Sequence, residues 1–570
     1  MPQDAYALYH QAKELDALLS GGRVNKIAQP KENEIFLHIY AGGERVRLAV
    51  SANVAAARVC TSDTEKENPL AAYNFCMLLR KHLSNARVDK VSLVGFDRVI
   101  ALEFSVYDEL FGEGKKVLYA EVMGKYSNVI LTERGKILGA MKTATLEEAA
   151  RRPLITGTEY RLPPAQDKLP PDDARLAGAL AAFGGGDLGK FLFERVEGIS
   201  LRTAEEIAAR FGKNGAFRLS DAEECAAFLR EFLFGGEKKP CVRFTEKGAE
   251  DFFVRPYESL GGTYRFFSSL DEAERFFFAE KDRLGEFSAL KNRLTECVKK
   301  EEKKVEKRLK IIAEKQLDCA GLEGDKQKGD LILSNLWRIK KGDAALACEN
   351  FFAENATEIA IPLDKNLSAQ DNAQKYYKRY NKQKRTLAAV APQKEEALAA
   401  LDYLKSVSSE IALAEDAAAL GFIENELSAA GLLRRKTEKE RKKKTAEKPA
   451  GRVYEIDGFT VRAGRSNSEN DAITSAARGK DLWLHAKNYH SSHVVIEVRE
   501  RPATEEVIVK AAEICAYYSA GRQGSKIDVD YAQKKFVKKP PKARPGFWIY
   551  SEFSTVTVDP ARHEEFLKSK

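Results

Sequence analysis

The feature that most constrains this chain is a long helical pattern whose apolar residues recur at heptad-like steps. The recurring residues are Leu294, Val298, Val305, Leu309 and Ile312. They are separated by 4, 7, 4 and 3 residues, with Lys and Glu between them, which is the pattern of a coiled-coil seam. A second helical stretch, at 368–430, follows the first, at 270–320. We predict an antiparallel arm that runs out and returns; a solvated helix pair without a seam would give the same extended arm.

A chain of 570 residues is longer than a single hydrophobic core usually supports, so three to five structural units are expected. The predicted fold class is multidomain α+β. It comprises a mixed α/β N-terminal domain, a helical helix-hairpin-helix domain, the long antiparallel coiled-coil arm, a basic linker and a small α/β C-terminal domain. Their predicted ranges are 1–165, 172–260, 268–432, 433–451 and 452–562.

Alternating apolar residues predict strands at both ends of the chain. Residues 23–27 and 34–39 are predicted as two strands around a turn at Gln29-Pro30. Near the C-terminus, Asp457-Gly458 predicts a tight hairpin turn. Residues 548–550 and 555–558 are predicted to close the C-terminal sheet.

Residues 196–201 precede a predicted helix at 202–211 and resemble a helix-hairpin-helix turn. Such a turn grips a nucleic-acid backbone through main-chain amides. Ser200 stands where the second glycine of the turn is usual, and a plain helical spacer is the competing interpretation.

Cysteine usage and hydropathy predict a cytoplasmic protein. Eight cysteines are irregularly spaced and no pair has C-x-x-C spacing, which argues against a zinc ribbon or a thioredoxin-like motif. Reduced thiols are expected. The N-terminal segment lacks an apolar h-region, and no apolar run reaches about 18 residues. Neither a signal peptide nor a membrane span is therefore expected.

Familiar catalytic motifs are absent from the sequence: there is no P-loop, no convincing Rossmann fingerprint and no nucleophile elbow. His485, His490 and His493 fall within nine residues. Because the only nearby carboxylate is Asp481, hydrogen-bonding or phosphate-facing histidines are favoured over zinc ligands. We expect no catalytic residue, no metal and no cofactor.

Basic residues are concentrated in two segments. Residues 434–448 hold nine basic and three acidic residues, which predicts a flexible linker. A second cluster is interleaved with aromatic residues and prolines and has no acid among its members. It consists of Lys534, Lys535, Lys538, Lys539, Lys542 and Arg544. Crowded like charges favour an anionic partner, so this cluster predicts contact with an RNA backbone; a merely solvated loop is the alternative.

The charged pair Asp97-Arg98 precedes the apolar run 99–102. It can form a structural salt bridge, which is the favoured interpretation of the pair taken alone. It can instead present a guanidinium to a base or phosphate while the carboxylate orients it.

Motifs along essentially the whole chain occur in one family order. They include Gly22–Pro30, Phe75–Leu83, Phe96-Asp97-Arg98, Glu121–Asn128, Tyr160–Pro164, Asn335–Gly342, Asn372–Lys382, Asp481–His485 and Ser492–Ile496. Together they resemble the NFACT (NEMF/Tae-type) family of ribosome quality-control factors, whose bacterial members were once called fibronectin-binding proteins. The resemblance implies an NFACT-N tRNA-contacting domain at the N-terminus and an NFACT-R RNA-binding domain at the C-terminus.

The resemblance also implies a function. It implies binding to a large (50S) ribosomal subunit obstructed by peptidyl-tRNA, contact with 23S rRNA, and recruitment of alanyl-tRNA. Stalled nascent chains would receive template-free alanine tails that direct their degradation. The ribosome would supply peptidyl transfer, so the chain itself is not expected to be an enzyme. A small heat-shock-type RNA-binding protein is expected as a further partner, and no membrane is.

Site residues are carried over by matching motifs. In the family an Asp-Arg pair serves tRNA recruitment, which maps to Asp97 and Arg98, and the adjacent motif maps to Glu121, Val122 and Met123. Further RNA contacts are predicted at Arg80, Lys81, Trp483, His485, His493, Lys534, Lys535, Lys538 and Lys539.

Two residues depart from the family pattern. Ser491 stands where the family has the glycine of a Pro-Gly-Ser-His sequence, and Ser200 replaces the hairpin glycine. The geometry of both turns is therefore the point at which the resemblance is weakest.

Two other functions compete with this interpretation. The N-terminal domain of the family is similar to formamidopyrimidine-type DNA glycosylases, which use an N-terminal proline amine and a following glutamate acid. Here Pro2 is followed by Gln3, which cannot transfer a proton, and no four-cysteine zinc finger follows. A surface adhesin is the third hypothesis, and neither a signal peptide nor an anchor favours it.

Overall fold

The computed structural model describes residues 3–108, 112–143, 152–164, 166–212, 215–246, 248–353, 357–433 and 451–563. The chain divides into two compact units, Met1–Gly285 and Glu286–Lys570. The basic segment predicted at 434–448 and the Met1-Pro2 pair lie outside the described residues.

The first unit is built on a nine-stranded antiparallel sheet. Its helices are α1 (Ala5–Leu19) and α2 (Asn74–Leu83). Its strands are β1 (Arg23–Lys31), β2 (Glu34–Ala41), β3 (Glu44–Ser51), β4 (Arg58–Thr61), β5 (Arg87–Leu93), β6 (Val99–Asp108), β7 (Gly112–Glu121), β8 (Asn128–Glu133) and β9 (Lys136–Ala140). They lie in the order β4-β3-β2-β1-β5-β6-β7-β8-β9. Leu8, Leu15 and Leu19 of α1 are buried in the same core as these strands.

The first predicted hairpin turn was misplaced. Strand β1 continues through Gln29-Pro30 to Lys31, which pairs with Glu34. The register shifts between Ala28 and Lys31, so Pro30 lies at a bulge. A proline is tolerated there because a bulge frees the backbone from donating a ladder hydrogen bond.

A helical subdomain with a small sheet completes the first unit. Its elements are α3 (Leu176–Leu180), α4 (Leu188–Arg195), α5 (Leu201–Phe211), α6 (Leu219–Phe234), β10 (Cys241–Thr245), β11 (Gly248–Phe253) and β12 (Thr263–Phe266). Helix α5 is capped by Ser200 at its start and by Gly212, with φ of 73°, at its end, which is where each residue type stabilises a helix terminus.

The predicted long helical segment is confirmed. Its elements are α7 (Leu270–Asp318), α8 (Leu322–Ser334), β13 (Ala345–Glu349), β14 (Glu358–Pro362), α9 (Ala369–Leu413) and α10 (Ala417–Ala429). Leu294 of α7 shares a core with Val407 of α9, whereas Ile312 shares one with Val390. Because the order is reversed, α7 and α9 are antiparallel. Pro392 lies inside α9, where it cannot donate the intrahelical hydrogen bond.

The C-terminal part of the second unit is a six-stranded sheet packed against helices. Its elements are β15 (Arg452–Ile456), β16 (Phe459–Ala463), α11 (Asn467–Ala476), β17 (Leu482–Ala486), β18 (Val494–Ile496), α12 (Glu505–Tyr517), β19 (Ile527–Gln533) and β22 (Ser554–Val558). The sheet order is β15-β16-β18-β17-β19-β22. The turn predicted at Asp457-Gly458 is confirmed, with φ of 48° and 81°.

The predicted closure of this sheet is half correct. Strand β22 pairs with β19 at its edge. Residues 549–550, in contrast, form β21 (Ile549–Tyr550), which pairs with β20 (Val537–Lys538) in a separate two-stranded ribbon. All eight cysteines are free thiols. Among the helices that the structure describes, none combines the length and apolarity needed to cross a membrane.

Candidate nucleic-acid interface

The turn before β6 carries Asp97 and Arg98, both half-buried. Asp97 Oδ1 accepts a hydrogen bond from the backbone N–H of Arg98 at 2.7 Å. Within the described part of the chain, the Arg98 guanidinium has no hydrogen-bond or ion-pair partner. The two side chains do not form the structural salt bridge that the sequence alone favoured, so the guanidinium fork is open to a ligand.

Residues 121–123 lie directly against this turn. The Val122 N–H donates to the Arg98 carbonyl at 2.9 Å, and Val99 pairs with Glu121 across the sheet. The structure thus brings together all five residues predicted to contact tRNA. Glu121 and Val122 are 2% and 3% exposed, whereas Met123 is half-buried. Of the five, only Asp97, Arg98 and Met123 are therefore accessible to a ligand.

Glu121 is held by two partners. Its carboxylate accepts hydrogen bonds from both terminal nitrogens of Arg152, one of them at 3.0 Å, and from the Tyr160 hydroxyl at 2.9 Å. The Tyr160 ring stacks on Tyr119 with centroids 4.1 Å apart. Burial, followed by the nearby Glu121 carboxylate, raises the pKa of Tyr160. The network fixes the end of β7 and therefore the turn hydrogen-bonded to it.

We expect Glu121→Gln to lower the free energy of local opening of β7 by about 3 kcal/mol, because it leaves the Arg152 charge without its buried counter-ion. Hydrogen exchange of the β7 amides measures this directly. Glu133→Gln removes a carboxylate that is 40% exposed and lies 3.4 Å from Lys116 on the same sheet. It is the matched control and should change the free energy of local opening by less than about 1 kcal/mol. Equal effects of the two substitutions would contradict a structural role for Glu121.

A cleft of ≈ 290 Å³ joins the Asp97-Arg98 turn to the hairpin between α4 and α5. Lys168 and Glu197 line it with Asp97 and Arg98. Burial, then the Arg98 charge, lowers the pKa of Lys168. Burial, then Asp97, raises the pKa of Glu197. Both shifts show that the four charges are close enough to interact.

Gly198 allows the α4–α5 hairpin to pack closely against the Asp97-Arg98 turn. Its φ is 75°, and a Cβ there would lie 2.2 Å from the Phe96 carbonyl oxygen. The Gly198 carbonyl also accepts a hydrogen bond from the Ala5 N–H at 2.7 Å. Only glycine permits this backbone approach, so the hairpin and the residue preceding Asp97 are in direct contact.

The two departures from the family pattern are compatible with both turns. Ser200 has φ of −79° and its side chain caps α5, while its N–H donates to Asp4 Oδ2 at 2.9 Å. In the other turn the left-handed residue is Asn488, with φ of 62°. Ser491 Oγ accepts from the Ala486 N–H at 3.1 Å. Neither serine occupies a backbone conformation that requires glycine.

The other N-terminal candidates lie at the end of α2. Arg80 Nε donates to the Ile27 carbonyl at 2.9 Å, so this side chain partly serves the fold. Lys81 is exposed. Lys81 is therefore the more accessible charge.

The C-terminal basic cluster is mostly at the surface. Lys535, Lys538 and Lys539 are exposed, and Lys539 pairs with Asp471. Lys534 is half-buried and donates to the Val537 carbonyl at 3.1 Å. The accessible charges are suited to phosphate contacts.

Trp483 and His493 lie in the interior, at 1% and 2% exposed. The predicted direct contact of these two residues with RNA is therefore corrected: they support the surface from beneath. The Trp483 ring is parallel to that of His485, with centroids 5.6 Å apart. His493 Nδ1 is 2.8 Å from Thr474 Oγ1. Burial lowers the pKa of His485 to about 4 and that of His493 further below its usual value.

No group of three or more His, Cys, Asp or Glu side chains is placed to hold a metal ion in the described ranges. Gln3, at the position of the glycosylase acid, is 5% exposed and donates a hydrogen bond to Glu274. Its carboxamide is thus engaged in a buried structural contact.

This fold defines a multidomain α+β protein with a long helical segment and a separate C-terminal sheet domain. A family model described as NFACT N-terminal and middle domains matches residues 4–446, and one described as NFACT protein RNA binding domain matches residues 452–546. The chain belongs to the NFACT family, which confirms the resemblance found in its motifs.

Full-length relatives agree with this assignment. "Rqc2 homolog RqcH" of Bacillus subtilis (strain 168) is 33% identical, with 98% of each chain covered. "Rqc2 homolog RqcH" of Streptococcus suis (strain 05ZYH33) is 29% identical over the whole of both chains. A solved N-terminal structure of the fibronectin/fibrinogen-binding protein from Streptococcus suis is 28% identical, with a TM-score of 0.42, covering 49% of this chain and 99% of that one. None of these comparisons supports the glycosylase alternative.

Proposed function

We propose that the chain is a ribosome quality-control factor. It binds large (50S) subunits obstructed by peptidyl-tRNA, recruits alanyl-tRNA and directs template-free alanine tailing of the stalled nascent chain. NFACT membership, full-length relatives named RqcH and the RNA binding domain support the quality-control role. The observation that carries the tRNA part is the Arg98 guanidinium, which no other described residue pairs with, in a cleft beside the α4–α5 hairpin.

A division of labour follows from where the accessible groups lie. The Asp97-Arg98 turn receives tRNA, and the α4–α5 hairpin offers backbone amides to its phosphates in the manner of a helix-hairpin-helix motif. The α7–α9 pair, as a coiled-coil arm, and the exposed lysines near Lys538 contact the subunit and its 23S rRNA. The ribosome performs peptidyl transfer in the cytoplasm, so the chain needs no catalytic residue or cofactor. A small heat-shock-type RNA-binding protein assists it.

Sequencing of the RNA that copurifies with the tagged full-length chain tests this proposal. We expect enrichment of alanine tRNAs together with large-subunit rRNA, and a steep loss of both as salt rises, because phosphate contacts release counterions. A tagged chain of equal net charge that is unrelated to RNA binding gives the background. RNA without tRNA enrichment, or small-subunit rRNA in equal amount, would contradict the proposal.

A further inference from the structure

A larger cavity, of ≈ 700 Å³, lies within the second unit between α9 and the C-terminal sheet domain. Ser406, Ser409 and Glu410 of α9 form one wall, and His485 and His490 form part of the other. This volume is within the range of pockets that enclose a small organic ligand. None of the residues assigned to tRNA recruitment contributes to it.

The walls of the cavity present polar groups in neutral form. Burial lowers the pKa of His485 to about 4, so its imidazole is uncharged at neutral pH and offers both a donor and an acceptor. Desolvation, then the neighbouring Glu426, raises the pKa of Glu410 well above its usual value, which favours the protonated acid. As far as the structure describes the chain, Ser409 Oγ bonds only within its own helix, to the Lys405 carbonyl at 3.1 Å. Such groups suit hydrogen bonds to a neutral heterocycle.

The rim of the cavity is basic on one side. Lys542 and Arg544 line it and are exposed, and Arg544 lies over the Tyr403 ring at 5.5 Å. Within the described residues Lys542 has no ion-pair partner. Its φ is 61°, a conformation that is uncommon for a residue with a side chain. The opposite side carries Asp402, 3.7 Å from His490. Arg452 and Arg465 also line the cavity, but Arg465 is paired with Glu469 and Arg452 lies over the Tyr518 ring.

Phe547 completes the arrangement. It lines the same cavity and is 51% exposed. An aromatic ring beside a basic rim is the combination that holds a base and its phosphate in single-stranded nucleic acid. Exposure of this ring is otherwise unfavourable, since it leaves apolar area in water.

We propose that this cavity receives the base of one unpaired nucleotide of bound RNA. The base packs against Phe547 and meets the neutral His485 and Ser409, while its phosphate is bound by Lys542 and Arg544. This assignment rests on the proposed RNA-binding function and adds to it a specific pocket and a ligand of stated chemistry. A free nucleotide offers the same base and phosphate, so the experiment must distinguish a bound free nucleotide from bound RNA.

The test uses the full-length chain and a short single-stranded oligouridylate with one central 2-aminopurine. We expect quenching of 2-aminopurine fluorescence on binding, and about tenfold weaker binding of the matching oligonucleotide with an abasic centre. Ser409→Tyr, which fills the cavity, should abolish both the quenching and the preference for the base. Ala389→Tyr, at an exposed position of the same helix, is the matched control and should leave both unchanged. Equal thermal melting of the two variants shows that each is folded.

Salt dependence separates the base contact from the phosphate contact. Lys542→Gln should lower the slope of log affinity against log salt by about 0.7, the value for one single-strand phosphate contact. Phe547→Ala should weaken binding without changing that slope. If the chain binds the oligonucleotide but Ser409→Tyr changes nothing, the cavity assignment is wrong and RNA binding stands. If the wild-type chain binds no RNA, the proposed function itself fails. Binding of adenosine monophosphate that is lost in Ser409→Tyr, with RNA binding intact, would overturn the RNA assignment in favour of a free nucleotide.

Discussion

Replacing Asp97 and Arg98 together by alanine is expected to abolish tRNA capture while large-subunit binding persists. The Arg98 guanidinium has no partner among the described residues, and a hydrogen bond to a charged group contributes about 1.5–3 kcal/mol. We therefore expect tRNA affinity to fall about 100-fold. Filter binding of alanyl-tRNA measures the first effect, and cosedimentation with 50S particles measures the second.

The fold should tolerate this double substitution. Both side chains are half-buried, and the hydrogen bond from Val122 uses the Arg98 carbonyl rather than its side chain. Asp173→Ala with Arg175→Ala removes an exposed charge pair from the same unit and should leave tRNA binding unchanged. If the Asp97/Arg98 variant ceased to cosediment with 50S particles, the proposed division of labour would be wrong.

Gly198→Ala should have the second largest effect, and it acts on the same site through the backbone. The alanine Cβ would meet the Phe96 carbonyl oxygen at 2.2 Å, so either the hairpin or the Asp97 turn must move. Left-handed φ adds about 1–2 kcal/mol, and overpacking typically adds about 1–3 kcal/mol. We expect hydrogen-exchange protection of α5 to fall by about 4 kcal/mol in total, with loss of tRNA affinity and retention of 50S binding.

Gly212→Ala provides the matched control for this substitution. Gly212 has almost the same φ, 73°, but a Cβ there would have no atom of the described residues within 4 Å. It therefore reports the backbone cost alone, about 1 kcal/mol, and tRNA affinity should be unaffected. Similar losses of protection and of tRNA binding in both variants would mean that contact between the hairpin and the Asp97 turn does not matter.

Local patterns in the sequence predicted the elements that depend on local physics. The Asp457-Gly458 turn and the long helices were predicted correctly because turn preference and apolar periodicity depend on residues that are close together in the sequence. The Gln29-Pro30 turn was misplaced because proline is equally typical of turns and of bulges, and only the pairing partner decides between them. Residues 549–550 were assigned to the main sheet because a short apolar run does not specify which strand it joins.

The candidate site was predictable in part. Motif matching placed Asp97, Arg98 and 121–123 together, and the backbone hydrogen bond between Val122 and Arg98 explains why they belong together. Lys168 was missed because it reaches the cleft from a distant part of the chain. Glu197 lies in the hairpin turn that the sequence indicated, but nothing beside it signals that it faces Asp97. Burial of Trp483 was missed because a tryptophan next to histidines is typical both of stacking on bases and of a packed core.

Pro392 gives helix α9 an uneven stiffness. A helix resists bending through its backbone hydrogen bonds. One of these bonds is missing near the middle of α9, because Pro392 has no N–H to donate. Bending of α9 should therefore concentrate at Pro392. The helical segments before and after this residue then behave as two stiff levers that meet at a more flexible joint. Because α9 has 45 residues and rises about 1.5 Å per residue, a deflection of a few degrees at this joint moves the end of a lever by about an ångström or more. A load applied to one end would then be absorbed at the joint before it reached the other.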